Sequence, residues 1–493
     1  MKNNHSVYLL LLFYVLSILI RLPHFDRPLS KHHEFNTAVI LIGLESWKQA
    51  GGARNLNFIP LLTYQNEADK LLEKGPYIDP KGNHIYLSFG PGWYVIPYII
   101  FDAFKIPFTP LALQILNLFF LFASVLLLYQ FAYYLFSKAG YKADLPSLAV
   151  CFVFLFNPSI LWFSGNGYVC TGIVLPFLIT ILHYGIKMLH EPGLIRAKSL
   201  FIFFSAGICS IYIDWYGVSF LAIGCIAALL KTRQNKKYWI LFLVSALSIA
   251  LGIAFILIQF ASYTGWQTVY DYWTSRYMDR GLLKLPMNRG YYLLNILKHL
   301  TTGFLPILIV LTTGFIIFKK KSAGNRIVEP VRTALAISLL ACLLHSVVLL
   351  NWAGEHDFAV IPYSIFLSLF SGWLLSVLEA KHSYRLATFV FFATIAQYYY
   401  INFPGQNTAK GLPYNSFQKT GSLISQIARN DERIFCNENY TIYQFYAKRN
   451  FTRVGSYDQA LEWARKYGVQ KGVWIKIRET ADKIFIDEVQ HFK

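Results

Sequence analysis

The sequence predicts an all-α polytopic membrane protein with a small α/β domain after its last membrane span. Three observations lead to this fold class. Hydrophobic residues make up 55% of the 493-residue chain and charged residues only 14%, a balance that excludes a soluble enzyme. The apolar residues fall into runs long enough to cross a bilayer. The basic residues fall into the short loops between those runs.

Twelve apolar segments are candidates for membrane spans, since about 20 residues are needed for one crossing. They cover residues 7–22, 90–104, 110–136, 147–163, 168–186, 199–213, 216–230, 238–261, 291–318, 333–351, 358–378 and 386–402. Arg21, Leu22 and Pro23 stand where a signal peptide would carry the small residues of a cleavage site. We therefore expect the first span to stay in the protein.

Short connectors rich in Lys and Arg set the orientation of these spans. They lie at residues 138–142, 187–198, 231–237, 319–332 and 381–385. The positive-inside rule places them in the cytoplasm, and the opposite loops and the chain after residue 402 outside. Successive loops alternate between the inside and the outside along the whole chain only if residues 90–104, which carry Pro91 and Pro97, are re-entrant or interfacial and do not cross the membrane. We therefore expect about eleven full spans, in a bacterial inner membrane.

The first outer loop, residues 23–89, is predicted to contain two helices. In the segment His33–Ala50 the apolar residues lie along one side, which predicts an amphipathic helix on the membrane surface. A second helix is expected from Pro60 to Lys74, because proline is favoured at the first helical position. Residues Asp79–Gly82 then predict a turn that leads back to the bilayer.

The composition changes at Phe403 and divides the chain into a membrane module, residues 1–402, and an extracytoplasmic domain, residues 403–493. A linker rich in Gly, Pro and Asn comes first. The pattern then predicts helices at 416–430, 440–449 and 457–467, strands at 433–437 and 472–477, and a final stretch of alternating apolar residues at 484–489. A domain of this size is near the lower limit for independent stability, so we expect it to dock on the membrane module.

The net charge of +19, from 45 Lys and Arg against 26 Asp and Glu, is a topology signal in this chain. Nucleic-acid-binding proteins cluster basic residues on a solvated domain, whereas here they occupy short connectors, so no nucleic acid is expected as a partner. No CxxC or HExxH motif is present. No cofactor is therefore predicted, and a divalent metal is compatible with the sequence but not indicated by it.

Polar residues beside a bilayer are costly and therefore point to function. On the predicted outer side they are Arg21, His33, Glu34, Asp214, Arg276, Arg280, Lys284, Arg289, His356 and Asp357. Glu34, in the first turn of a helix, suits a carboxylate catalyst, and the alternative is a carboxylate that the helix dipole alone favours there. The arginines at 276 and 280 suit a phosphate, while the aromatic residues around them also suit an interfacial belt. His356 fits either a phosphate contact or a helix cap.

The order of these features resembles the GT-C superfamily of membrane glycosyltransferases, especially the branch of protein O-mannosyltransferases and lipid A aminoarabinose transferases. The resemblance rests on five segments. They are His33-Glu34 after the first span, Tyr86–Tyr98 (YLSFGPGWYVIPY), Asn157-Pro158 with Gly165–Tyr168, His356–Pro362 (HDFAVIP), and the α/β tail. The family commonly has Asp-Glu where this chain has His33-Glu34.

This resemblance implies an inverting hexosyl- or pentosyltransferase that uses a polyprenyl-phosphate sugar and modifies a lipid, glycan or protein acceptor. Glu34, with His33, is the position onto which the catalytic base is carried. The residues that would bind the lipid phosphate or the sugar are Arg21, Tyr94, Asp214, Arg276, Arg280, His356 and Asp357. Two other functions stay open. They are an O-antigen polymerase or ligase that acts on lipid-linked glycans, and a transporter.

Overall fold

The fold was examined in a computed structural model, which describes residues 4–30, 33–283, 287–321, 327–378, 380–401, 413, 415–438, 441–480 and 483–493. The described chain is mainly helical and ends in a small sheet, as the sequence predicted. Seventeen helices precede the tail domain in the described part. They are α1 (Asn4–Arg21), α2 (Phe35–Gln49), α3 (Gly92–Ala103), α4 (Pro110–Lys138), α5 (Asp144–Leu155), α6 (Pro158–Phe163), α7 (Cys170–Ile173), α8 (Leu175–His190), α9 (Ala197–Ile213), α10 (Tyr216–Lys231), α11 (Tyr238–Thr264), α12 (Trp266–Arg280), α13 (Arg289–Lys321), α14 (Glu329–Val348), α15 (Leu350–Glu355), α16 (Tyr363–Val377) and α17 (Ala380–Ala396).

Every predicted span coincides with a helix or a broken helix. Among the described residues, six helical segments are long and apolar enough to cross a membrane, namely His5–His24, Pro110–Lys138, Cys170–His190, Tyr238–Thr264, Arg289–Phe318 and Glu329–Val348. Four shorter apolar helices, α5, α9, α10 and α16, accompany them. The chain is therefore an integral membrane protein, and the count of eleven spans stays a prediction.

Two of the predicted spans are divided into shorter helices, and an asparagine followed by a proline marks one of the two breaks. Segment 147–163 forms α5 and α6, because Asn157 leaves the helical conformation and its side chain accepts a hydrogen bond from the backbone of Ile160 (2.9 Å), with Pro158 as the first residue of α6. Segment 333–351 divides into α14 and α15 at Leu349. These breaks place short helices and loops, rather than continuous spans, beside the first outer loop.

The first outer loop differs from its prediction in two ways. Helix α2 forms, but it is not a helix with one exposed face, because both of its faces are covered by protein and Trp47, Ile40 and Ile42 are fully buried. The second predicted helix is wrong. Leu61 forms an antiparallel bridge with Ile85 instead, and the backbone N–H of Leu62 donates to His84 (2.9 Å). The predicted turn at Asp79–Gly82 is confirmed, since the N–H of Gly82 donates to the carbonyl of Asp79 (3.0 Å).

The tail domain contains the helices and strands that the sequence predicted, and the alternating stretch at 484–489 is part of a strand. One strand, at Phe451–Arg453, was not predicted. Its helices are α18 (Ser416–Ile427), α19 (Thr441–Ala447) and α20 (Tyr457–Tyr467), and its strands are β1 (Arg433–Cys436), β2 (Phe451–Arg453), β3 (Gly472–Glu479) and β4 (Ile484–Phe492). The sheet order is β2-β1-β3-β4. Strand β1 is parallel to β2 and β3, and β4 is antiparallel to β3. Most of the predicted linker, at residues 402–412 and 414, lies outside the described residues.

The tail domain docks on the first outer loop through buried polar contacts. Arg449 forms a buried ion pair with Asp69, and its second terminal nitrogen donates to the other carboxylate oxygen (2.9 Å). Asn450 exchanges two hydrogen bonds with the backbone of Tyr64 (2.7 and 3.0 Å). The hydroxyl of Tyr446 accepts from the N–H of Leu29 (2.8 Å), close to the start of α2. The domain therefore supports the loop that carries His33 and Glu34.

Candidate active site

An apolar cavity of about 440 Å³ lies between α10, α11, α12 and α14, and two arginines contribute to its lining. Its other walls are mainly aliphatic and aromatic side chains from these helices, including Val218, Ile253 and Leu344. Arg276 and Arg280 both belong to α12. They are four residues apart, so they lie on one face of the helix. The cavity therefore combines a mainly apolar surface with two cations.

Hydrogen bonds fix the cavity wall at segment 87–89 of the first outer loop. The indole N–H of Trp273 donates to the carbonyl of Leu87 (2.9 Å), and that of Trp215 donates to the carbonyl of Ser88 (2.8 Å). The hydroxyl groups of Ser88 and Tyr272 are 3.1 Å apart. Helix α12 is thus held against the loop, and its arginines have fixed positions.

Aromatic rings surround both arginines. The guanidinium of Arg276 lies 4.6 Å from the ring centre of Tyr77, and that of Arg280 lies 6.0 Å from the ring centre of Phe89. Arg280 also contacts the hydroxyl of Tyr86. Within the described residues, neither guanidinium has a carboxylate in ion-pair distance. The arginine cluster and the aromatic belt, which the sequence left as alternatives, are present together; Lys284 lies outside the described residues, and Arg289 is exposed at the start of α13.

Glu34 is enclosed by its own loop. Its carboxylate forms a bidentate ion pair with Arg27, one contact of which measures 3.0 Å, and it accepts a hydrogen bond from the backbone N–H of Ser30. The side chain is 2% exposed. A carboxylate with both oxygens engaged and little access to solvent is poorly placed to accept a proton. The role of base stays a prediction for Glu34, and these contacts favour a role in holding the loop.

His33, one residue earlier, has different surroundings. Its backbone is left-handed, with φ of +55°, a conformation in which Asn, Asp and His are enriched among non-glycine residues. Its Nε2 atom lies 3.1 Å from Oδ1 of Asp357, and the two side chains are 21% and 12% exposed. The rings of His356 and Phe358 lie 5.5 Å and 5.1 Å from that of His33. The structure thus brings together three predicted site residues that are far apart in sequence.

His356 lies beside both His33 and Trp352, which lines the cavity. Burial lowers the pKa of His356 to about 3, and the nearby charges of His33 and Arg280 lower it as well, so the ring is neutral at physiological pH. Its ring lies 5.8 Å from that of Trp352, a residue that lines the cavity. His299, which the sequence analysis assigned no role on the outer side, hydrogen bonds to the carbonyl of Gly354 (3.0 Å) on the same side of the site.

Asp214 and Tyr94 lie deeper, behind segment 87–89. Burial raises the pKa of Asp214 to about 6, and the thiol of Cys170 and the backbone N–H of Tyr216 (2.9 Å) partly offset this effect. Tyr94 is fully buried between Trp47 and Trp93, with ring centres at 6.1 and 5.1 Å. A Cβ at Gly43 would lie 2.6 Å from the Tyr94 ring, so glycine is required there. Their role in substrate binding stays a prediction.

Arg21 is separate from this group. Its guanidinium donates to the backbone carbonyls of Leu161 (3.0 Å), Ile160 (3.2 Å) and Ser17 (2.5 Å), and the residue is fully buried. These bonds satisfy carbonyls where α6 ends, beside Gly165. A structural role accounts for all of these contacts, so we do not include Arg21 in the proposed site.

Sequence reasoning missed two partners in this site. Arg27 neutralises Glu34, yet nothing in a spacing of seven residues across a loop predicts the pair. The contact between His33 and Asp357 depends on tertiary packing and leaves no local signal either. Among the described residues no group of three or more His, Cys, Asp or Glu side chains is arranged to hold a metal ion.

Comparison with known proteins adds a structural likeness. No protein-family model matches the sequence, and no curated protein matches it. Among solved structures, the chain is similar to ArnT from Cupriavidus metallidurans bound to undecaprenyl phosphate, with a TM-score of 0.60 and 11% identity over 95% of this chain and 92% of that one. It is also similar to the oligosaccharyltransferase AglB from Archaeoglobus fulgidus in complex with an inhibitory peptide and a dolichol-phosphate, with a TM-score of 0.58 and 10% identity over 96% of this chain and 70% of that one. The chain therefore has the GT-C fold of these membrane glycosyltransferases, as the sequence resemblance implied.

Proposed function

We propose that the protein is a membrane glycosyltransferase that moves a sugar from a polyprenyl-phosphate donor to an acceptor on the extracytoplasmic face. The observation that carries this proposal is the apolar cavity that is also lined by Arg276 and Arg280. A polyprenyl phosphate is complementary to such a lining, since it has an apolar chain and an anionic head.

The arginines suit the head group of such a lipid. Guanidinium groups bind phosphate oxygens in a bidentate way, and a partly buried cation without an internal anion is costly unless a ligand supplies the charge. In sugar transfer the phosphate is the leaving group, so the same cations stabilise the negative charge that develops on it. The rings around Arg276 and Arg280 restrict both side chains, which lowers the cost of ordering them when the lipid binds.

The structural neighbours support the donor class. The ArnT structure contains undecaprenyl phosphate and the AglB structure contains a dolichol-phosphate, both of them polyprenyl phosphates. The transferred group would be a hexose or a pentose, and the acceptor would be a lipid, a glycan or a protein. The resemblance to the GT-C family favours a single displacement with inversion at the sugar.

Lipid retention tests this proposal. The protein is purified in a mild detergent, and native mass spectrometry identifies the lipids that remain bound. We expect a polyprenyl monophosphate, with or without its sugar, to remain bound to the wild type. The control Lys236→Ala, which removes an exposed charge far from the cavity, should retain the same lipid. The double variant Arg276→Ala/Arg280→Ala should retain much less of it.

Three outcomes would contradict the proposal. An oligosaccharide on a polyprenyl diphosphate would identify a polymerase or ligase of lipid-linked glycans. Solute flux in proteoliposomes would identify a transporter. Wild-type protein that retains no isoprenoid, even when a polyprenyl phosphate is added during purification, would remove the basis of the proposal.

A further inference from the structure

We propose that a groove at the end of the helix bundle opposite to the candidate active site binds one anionic phospholipid of the cytoplasmic leaflet. The groove has a volume of about 610 Å³ and lies between α1, α5, α16 and α17. It shares no lining residue with the cavity that Arg276 and Arg280 line. The inference is therefore independent of the proposed function.

The groove is a wedge between α1 and α17. The two segments meet near the end of α1, where the hydroxyl of Tyr399, just after α17, donates to the carbonyl of Ile20. Leu9 lies about 16 Å from Ile20 along α1, at a rise of about 1.5 Å per residue. At that level Leu9 and Tyr384 of α17 line the same cavity. The two helices therefore diverge toward the end of the bundle where α1 begins.

Helix α5 forms the floor of the groove. Pro146, Ala149 and Phe152 line the cavity and follow one another at a spacing of three residues, so they lie on one side of the helix. The ring of Phe152 lies 5.3 Å from that of Phe13 in α1 and 6.2 Å from that of Phe391 in α17. Aromatic contacts thus close the narrow end of the wedge. The apolar walls and floor are suited to a hydrocarbon chain.

The mouth of the groove carries a cation. Lys142, in the connector before α5, is exposed and lines the cavity. No carboxylate of the described chain pairs with it. The carboxylate of Asp144, two residues further on, accepts from the hydroxyl groups of Ser6 (3.0 Å) and Tyr129 (3.1 Å) instead. The charge of Lys142 is therefore available to a ligand of opposite sign.

The charge and the predicted side of the membrane together indicate the ligand. The basic connectors 138–142 and 381–385 flank the groove, and the positive-inside rule predicts the cytoplasmic side for both. The cytoplasmic leaflet contains anionic lipids, and basic pockets between membrane helices on this side bind their head groups. The phosphate of such a lipid would contact Lys142 while an acyl chain fills the wedge. Tyr384, which is 66% exposed, offers a hydroxyl group at the same mouth.

Lipid binding by charge variants tests the head-group contact. The purified protein is delipidated in detergent and titrated with phosphatidylglycerol or phosphatidylcholine, and native mass spectrometry counts the bound lipids. We expect the wild type to bind one phosphatidylglycerol at concentrations where phosphatidylcholine does not bind. Lys142→Ala should weaken this binding about fivefold, the contribution of one basic residue near an anionic lipid surface, and Lys142→Arg should restore it. The control Lys198→Ala removes an exposed charge from another basic connector and should bind as the wild type does.

Ala149→Phe tests the acyl-chain contact. Ala149 is half-buried on the floor of the groove, so a phenylalanine there would fill the wedge and leave Lys142 in place. We expect this variant to lose phosphatidylglycerol binding. Phosphatidylglycerol should raise the unfolding temperature of the wild type, because it fills the space between α1 and α17, and should have no such effect on Ala149→Phe. Unfolding without added lipid shows whether the variant is folded, and Lys142→Ala tests the site without any change to the groove walls.

Three results would overturn the proposal. The first is equal binding of phosphatidylcholine and phosphatidylglycerol by the wild type, which would exclude selection of a charged head group. The second is phosphatidylglycerol binding within about twofold of the wild type in Lys142→Ala, or in folded Ala149→Phe. The third is a loss of bound polyprenyl phosphate in the same variants, which would assign the groove to that lipid. Failure of the proposed function is distinguishable from these results, because Arg276→Ala/Arg280→Ala should bind phosphatidylglycerol normally.

Discussion

The two charged regions of the candidate site differ in how their charges are compensated. At the start of α2, Glu34 and Arg27 neutralise each other inside the protein. In the lining of the cavity, Arg276 and Arg280 contact aromatic rings, and within the described chain no carboxylate pairs with them. A charge with an internal partner contributes to the fold, whereas a confined charge without one calls for a ligand of opposite sign. This difference distinguishes residues that stabilise the fold around the site, such as Glu34 and Arg27, from residues that are expected to bind a ligand, such as Arg276 and Arg280.

The largest expected effect comes from removing both cavity cations. In Arg276→Ala/Arg280→Ala we expect sugar transfer from a polyprenyl-phosphate donor to fall about 1000-fold, since two charge-assisted contacts to the phosphate are lost. Thermal unfolding should change little, because no carboxylate of the described chain pairs with these charges. Initial rates and unfolding curves measured on the same preparation check both statements. If the double variant lost much of its stability but kept the turnover of the wild type, the two arginines would stabilise the fold and would not bind the donor.

The opposite pattern is expected for Arg27→Ala. This change leaves Glu34 buried without its cation, so the free energy of unfolding should fall by about 3 kcal/mol or more. The double variant Arg27→Met/Glu34→Leu, which replaces the pair with apolar side chains, should recover much of that loss. Denaturant or thermal unfolding of Arg27→Met, Glu34→Leu and the double variant gives the coupling energy. A coupling energy near zero would show that the pair does not hold the loop.

Asp214 extends the comparison to a buried acid. Burial raises its pKa from 3.8 to about 6, so the folded protein binds this proton more tightly than the unfolded chain does. The stabilisation from Asp214 is therefore complete below pH of about 4 and is lost as the pH rises through about 6. Asp214→Asn does not titrate, so it should match the wild type at the lower pH and be more stable at pH 7, by at most about 3 kcal/mol. Thermal unfolding at the two pH values measures this, and equal curves at pH 7 would refute it.

The smallest effect is expected for Arg280→Lys. The charge stays, but the planar fork that stacks on Phe89 and binds phosphate oxygens is lost. We expect a decrease in kcat/KM of about tenfold, mainly through KM for the donor, measured at constant ionic strength. An unaltered donor KM would show that Arg280 acts as a simple point charge.

The sequence was sufficient for most of the helices. A membrane span is defined by its own apolar run, so segments such as 110–136 and 238–261 closely match α4 and α11. The tail domain was also predictable, because its strands and helices alternate with clear turn signals. The Asn157-Pro158 break carried a local signal as well, but the long apolar run of 147–163 concealed it.

The outer loop was less predictable because its structure depends on distant partners. Helix α2 was expected on the membrane surface, but Trp47 and its neighbours are buried by α19 and by segments of the loop itself. Leu61 pairs with Ile85, which removes the helix expected at residues 60–74. For the site, the sequence identified His33, Glu34, Arg280 and Asp357 as candidates. It could not show that Arg27 binds Glu34 or that Asp357 binds His33.

The contacts between the tail domain and the first outer loop constrain the order in which the protein can fold. Leu29, Tyr64 and Asp69 are synthesised 417, 386 and 380 residues before their partners Tyr446, Asn450 and Arg449. Contacts of such long sequence separation form late in folding. The loop that carries His33 and Glu34 is therefore incompletely supported until residues 446–450 have been made. A nascent chain that lacks these residues would hold the membrane helices but not the finished outer loop.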